Sequence, residues 1–202
     1  MQDPMHHSLP NETRASDAGP APSRLVSRLY YVVLLSLVLA CVSGQAVARG
    51  VYQEPDDFLS ETFAGEPPAV RALWITPELR DEVAGILGHP PNAMRIRYWA
   101  EGGRTAWIVE EIGKEKPITT GIVVNDGSIE RVKVLIFRES RGWEVRHDFF
   151  TKQFHGATLN GHRELDRSID GISGATMSVS AVTRLARMVL LLDRKVAAHE
   201  SR

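Results

Sequence analysis

The sequence predicts an α+β fold, an antiparallel sheet of hairpins packed against helices, behind an N-terminal export signal or membrane anchor. Three observations predict it. Segments of alternating polarity come in two pairs, joined by Gly102-Gly103 and by Asn125-Asp126-Gly127. One apolar stripe at helical spacing runs from about Thr176 to Val196. A continuous apolar run, Leu29 to Val42, follows Arg24 and Arg28.

The leader divides into two parts. Residues 1–23 are polar, with Pro, Ser, Asn and Asp, and read as disordered. The run from Leu29 to Val42 is short for a bilayer span, which needs about 20 residues, but suits the apolar region of an export signal. Three readings are open. Ala46-x-Ala48 fits a cleavage site; Leu-Ala-Cys41 fits a lipid-attachment signal; or the run stays as an anchor with the arginines on the cytoplasmic side. All three put residues 50–202 on the periplasmic side of the cytoplasmic membrane.

Residues 49–68 are acidic and contain Pro, and read as a linker with some packed aromatics; the domain proper is expected over 69–202. Thr76-Pro77-Glu78 is a helix start, with a Thr cap, Pro at the first helical position and acid in the first turn. That helix carries Leu79, Val83, Ile86 and Leu87 and stops at Gly88. Strands follow at Met94–Ala100 and Thr105–Ile112, then Ile118–Val124 and Ser128–Phe137. Asp-Gly between alternating segments is a strong hairpin signal. The apolar phase slips between Ile129 and Val132, which suggests a bulge. Trp143, His147, Phe150 and Phe154 then fall at helical spacing. In the last helix Val179, Val182, Leu185, Ala186, Val189, Leu192 and Val196 form the stripe that faces the sheet.

Composition excludes more than it suggests. Lys and Arg total 24 against 25 Asp and Glu, so no broad cationic surface is offered to nucleic acid. Cys41 is the single cysteine, which leaves the domain without a disulfide, a Cys-held iron–sulfur cluster or a c-type haem site. His147, His155 and His162 lack metal-site spacing. Glu110 and Glu111 point to opposite faces of a strand and cannot act as a pair. Ser173 and Ser178 lack the strand–elbow–helix setting of a hydrolytic nucleophile.

Asp170-Gly171-Ile172-Ser173-Gly174-Ala175-Thr176 immediately precedes the last helix. Small residues let the backbone approach a ligand, Ser173 and Thr176 supply hydroxyls, and the first helical N–H groups point into the loop. Such a junction favours an anion, above all a phosphate. The plainer reading is a helix cap, for which Ser, Thr and Gly are the usual residues.

In order and spacing, residues 117–195 resemble the FMN-binding domain of the covalent-flavin subunits of the sodium-pumping NADH:quinone oxidoreductase and the Rnf complex. The resemblance rests on the GIVVNDGSIERVKVLIF hairpin, the Glu139-Ser140-Arg141-Gly142-Trp143 segment, Gln153-Phe154, the DGISGATMS motif and the terminal helix. It implies FMN as cofactor, joined through its phosphate to Thr176 by a separate flavin transferase that uses FAD. It also implies that Asp170, Gly171, Ser173, Gly174 and Ala175 shape the attachment loop, with Glu139 and Ser140 near the cofactor. Trp143 is either a stacking or shielding residue for the flavin or an aromatic of the core. The sequence departs where family members often have Glu-Thr-Pro-Gly, since here it is Glu139-Ser140-Arg141-Gly142, and where Thr-x-Thr-Ser becomes Thr176-Met177-Ser178. Residues 49–116 match nothing in the family. The reading is therefore a periplasmic electron carrier serving a membrane or periplasmic redox partner. Its alternatives are a flavin-dependent reductase with a substrate site shaped by residues 69–116, or a non-redox binding module.

Overall fold

The computed structural model describes residues 50–200. The polar leader, the apolar run and Cys41 lie outside the described residues. Among the described residues no helix is long and apolar enough to cross a membrane.

Five strands form one antiparallel sheet in chain order: β1 (Arg71–Trp74), β2 (Arg95–Glu101), β3 (Arg104–Ile112), β4 (Pro117–Asn125) and β5 (Ser128–Phe137). Among the described residues the helices are α1 (Pro55–Thr62), α2 (Pro77–Leu87), the one-turn α3 (Asp148–Thr151) and α4 (Thr176–Glu200). This is the expected α+β architecture. Asp126 and Gly127 both take positive φ, 47° and 77°, the backbone twist a two-residue hairpin needs. Thr76 caps α2 by accepting a hydrogen bond from the Leu79 N–H at 3.3 Å, and Gly88 ends it in the left-handed conformation.

β5 slips twice against β4. Val124 pairs with Ile129 and Val123 with Arg131, which leaves Glu130 as a bulge where the apolar phase breaks. A second slip skips Leu135 and turns that side chain to the opposite face of the sheet from Val134.

One face carries the main core. The α4 stripe lies on it, with Val182, Leu185, Ala186, Val189 and Leu192 all at 0% exposure. Each fully buried Val or Leu contributes about 1.5–3 kcal/mol relative to exposure, so this face dominates stability. Near its far end α4 is keyed to β3 by a buried network. The Thr105 hydroxyl donates to Asp193 at 2.6 Å and accepts from the Trp107 indole N–H at 2.9 Å.

The other face corrects the reading of 49–68 as a linker. Those residues hold α1, whose Phe58 and Leu59 are buried against Ala106, Val123 and Leu135. Gly121 makes room for this, since a Cβ there would meet the Phe58 ring at 2.6 Å. Before α1, the Gly50 carbonyl accepts from the Phe137 N–H at 2.7 Å, so the chain enters as a short extension of the sheet edge. An eight-residue helix with three buried side chains (Phe58, Leu59, Thr62) shows little periodicity, and its Pro and acids mask it. β1 likewise carries no sequence signal: its four residues, mostly exposed, are held by pairing with β2 rather than by burial. The pattern from Trp143 to Phe154 is helical only in pieces. His147, at ψ 150°, breaks it between a 3-10 turn at Trp143–Arg146 and α3.

Phe58→Ala is expected to cost about 3–5 kcal/mol, the usual range for emptying a fully buried aromatic site. Urea unfolding of the variant measures it; a change below about 1 kcal/mol would mean that α1 is the loose linker its composition suggests.

Candidate functional site

The site is built at the N-terminal end of α4, where three separate stretches of chain meet. The first is the motif loop. Asp170, Gly171, Ser173, Gly174 and Thr176 are exposed, whereas Ala175 is buried. Gly174 takes φ 81°, and the Ala175 N–H donates to the Ile172 carbonyl at 3.0 Å. The first helical hydrogen bond runs from the Val179 N–H to the Ala175 carbonyl at 2.9 Å. Ala175 therefore occupies the cap position, and it has no side-chain oxygen to offer the N–H groups of Thr176, Met177 and Ser178. The cap reading of the motif fails on this point. Thr176 is the first helical residue, and its hydroxyl stands outside the fold.

The second stretch follows β5. Gly142, at φ 84°, is buried against the first turn of α4, where an added Cβ would lie 2.5 Å from the Ser178 hydroxyl and 3.5 Å from the Ala175 methyl. Any side chain at 142 would push the two segments apart. The third contact comes from Gln153, whose side-chain carbonyl accepts from the Asp170 N–H at 2.7 Å. In the sequence Gly142 and Gln153 are landmarks of the resemblance without a role of their own. Their function is to hold the loop, and it follows only from the contact.

Trp143, next to Gly142, is 41% exposed, so it is not a core residue. The Arg146 guanidinium lies between two rings, 4.9 Å from that of Trp143 and 4.3 Å from that of Tyr52. His147 meets Trp143 edge-on at 5.4 Å. Phe149 and Met177 are also exposed, at 61% and 51%, which leaves apolar surface close in sequence to the junction.

Glu139 and Ser140 are placed differently. Ser140 is exposed at the start of the Gly142 segment. One Glu139 oxygen accepts from the backbone N–H groups of Lys114, Glu115 and Lys116 at 2.5, 2.7 and 3.0 Å. Glu139 thus closes the β3–β4 turn. Burial alone would raise its pKa, but the three N–H donors and the Lys114 charge outweigh it and hold the carboxyl below its ordinary value.

Glu110 and Glu111 diverge as their parity requires. Glu110 accepts from the Thr119 hydroxyl at 2.5 Å, while the nearly buried Glu111 is held by Arg184 at 2.9 Å and His89 at 3.1 Å. The Pro90 carbonyl and then Glu111 raise the His89 pKa.

The fold and site together define a ligand-carrying α+β domain, with an uncapped helix start and a free hydroxyl suited to a phosphate group. Residues 113–190 match the family model of the FMN-binding domain, so the chain carries an FMN-binding domain and FMN is its cofactor. No curated protein and no solved structure matches the chain. The residues present fit the group. Three N–H groups without a side-chain cap and an exposed threonine hydroxyl supply what a phosphate monoester needs, and Trp143 offers an aromatic face close by in sequence.

Glu139→Gln is expected to lower stability by about 1 kcal/mol at neutral pH, through weaker acceptance from the three N–H groups. Because the folded pKa is depressed, the wild-type advantage is complete above the ordinary value of 4.5 and is lost as pH falls through the lower folded value. Thermal unfolding of both proteins from neutral to acidic pH checks the convergence.

Proposed function

We propose that this chain is an electron-transfer flavoprotein on the periplasmic side of the membrane, with FMN joined through its phosphate to Thr176. One observation carries the attachment residue. The Thr176 hydroxyl is exposed at the first position of a 25-residue helix whose cap position holds an alanine. Neither capping nor packing accounts for it, and a modifying enzyme can reach it.

The attachment is a transfer from FAD made by a separate flavin transferase. The Thr176 oxygen forms a bond to the flavin-side phosphorus, the bond from that phosphorus to the bridging oxygen breaks, and AMP leaves with that oxygen. The hydroxyl proton passes to a base of the transferase. The loop N–H groups and the positive end of α4 then hold the resulting phosphodiester, and Asp170, fixed by Gln153, sets the loop in which the hydroxyl is presented. Linkage through phosphate leaves the flavin ring chemically unchanged. It serves retention, which matters outside the cytoplasm, where free cofactor is lost.

When bound, FMN supplies redox chemistry that suits both one-electron and two-electron partners. The protein's part is to hold the group and leave it accessible. The exposed Trp143, Phe149 and Met177 fit a surface that a membrane or periplasmic redox partner approaches. The Arg24–Arg28 pair and the apolar run after it support export or anchoring. A flavin-dependent reductase is the second reading. It is favoured by one observation, a cavity of about 650 Å³ walled largely by residues before the matched region.

The full chain produced together with a flavin transferase is expected to give a fluorescent band on a denaturing gel, with an intact mass raised by one FMN less water. Thr176→Ala is expected to lose both signals entirely, and Thr176→Ser to keep them at least in part. A dark wild-type band beside a labelled control protein would defeat the covalent reading.

A further inference from the structure

β3 pairs with β4 along its whole length, from Arg104 opposite Asn125 to Ile112 opposite Pro117. Its pairing with β2 stops at Tyr98 opposite Trp107. Beyond that point β2 continues as Arg95–Arg97, paired with β1 alone, and β3 continues as Ile108–Ile112, paired with β4 alone. The two strands have split apart.

The hairpin closes on Glu101 opposite Arg104. In an antiparallel pair the residues that exchange hydrogen bonds alternate from the turn outward. By that alternation the Tyr98–Trp107 pair is closed by the Ile108 N–H donating to the Arg97 carbonyl, and beyond it the Arg97 N–H, the Ile108 C=O and both backbone groups of Arg95 and Glu110 face into the split. The α2–β2 loop makes no backbone hydrogen bond to β3 there.

A cavity of about 650 Å³ occupies the split, within the size range of small-molecule sites. It is lined from both faces of the sheet. Leu87, Ile96, Val109 and Met188 supply an apolar wall on the α4 side. Arg95 and Arg97 line it too and make no ion pair among the described residues. Both carboxylates at its border are already occupied. Glu111 is held by Arg184 and His89, and Glu110 by Thr119 and Arg138. The uncompensated charge of the cavity is therefore cationic.

We propose that the split between β2 and β3 is a binding site for a small amphipathic anion, a carboxylate or sulfonate on an apolar body. The apolar body packs between Ile96, Val109 and Met188, the anion is held by Arg95 and Arg97, and the unpaired strand edges bind polar substituents along it. Most of the wall precedes residue 113, so the site is distinct from the flavin attachment loop. It does not depend on covalent FMN.

The test is calorimetric titration of the full chain with 8-anilinonaphthalene-1-sulfonate, an anion on an apolar aromatic body. Wild type is expected to bind one probe per chain. Affinity should fall at least about tenfold in the Arg95→Glu/Arg97→Glu double variant and stay close to wild type in the Lys/Lys variant. Ala93→Trp, an exposed lining position, should fill the cavity and abolish the site. Thr176→Ala should bind the probe as wild type does, which separates this inference from the flavin reading. Affinity unchanged in the double Glu variant, at an unchanged thermal midpoint, would overturn the proposal. Should that variant fail to fold, undiminished binding by Ala93→Trp would overturn it equally.

Discussion

The burial of α4 against the sheet is the constraint on which everything else depends. A 25-residue helix held along one face cannot rotate or slide without exposing its stripe, so its first residue is fixed in space. Polar contacts mark off its length. Asp193 is tied to Thr105 within the core, Lys195 to Glu82 of α2, and Arg184 to the nearly buried Glu111. Apolar packing supplies the energy, and these contacts set the register. Thr176 is the free end of that arrangement.

The junction itself is assembled with few strong interactions. Gly142 fits where no side chain can, and Gln153 supplies one hydrogen bond to Asp170. The loop between stays exposed, and the first helical N–H groups are left uncapped by any side chain. A protein built for stability alone would place Ser, Thr, Asp or Asn at position 175. Alanine there leaves an anion as the natural partner for those N–H groups. The helix start is thus a set of N–H groups without a side-chain cap, presented by a rigid helix.

The same sheet handles two other demands differently. Its β4 strand is covered on both faces, by α4 and by α1, and is buried from Ile118 through Val124. Toward β2 the pairing opens instead, with Glu111, His89 and Arg184 at the opening. A charged carboxylate this buried needs both partners, so closing the strands would have to preserve those contacts.

The sequence by itself determined the elements whose signals are local. The period-two hairpins around Gly102-Gly103 and Asp126-Gly127, the Thr76 and Gly88 caps, a bulge between Ile129 and Val132 and the α4 stripe all follow from rules that act over a few residues. The small-residue loop before Thr176 was legible for the same reason, although its sequence alone left the cap reading open. Only the tertiary structure decided that reading, because the cap position is set by which carbonyl accepts the first helical bond. It also decided that Pro55–Thr62 packs as α1, that Glu139 closes the β3–β4 turn, and that β2 and β3 part after Trp107. These depend on contacts between residues distant in sequence: Phe58 on Gly121, Glu139 on the 114–116 amides, Glu111 between His89 and Arg184. A residue pattern records what each segment offers to bury or to bond. Which offers meet is fixed only when the whole chain is packed.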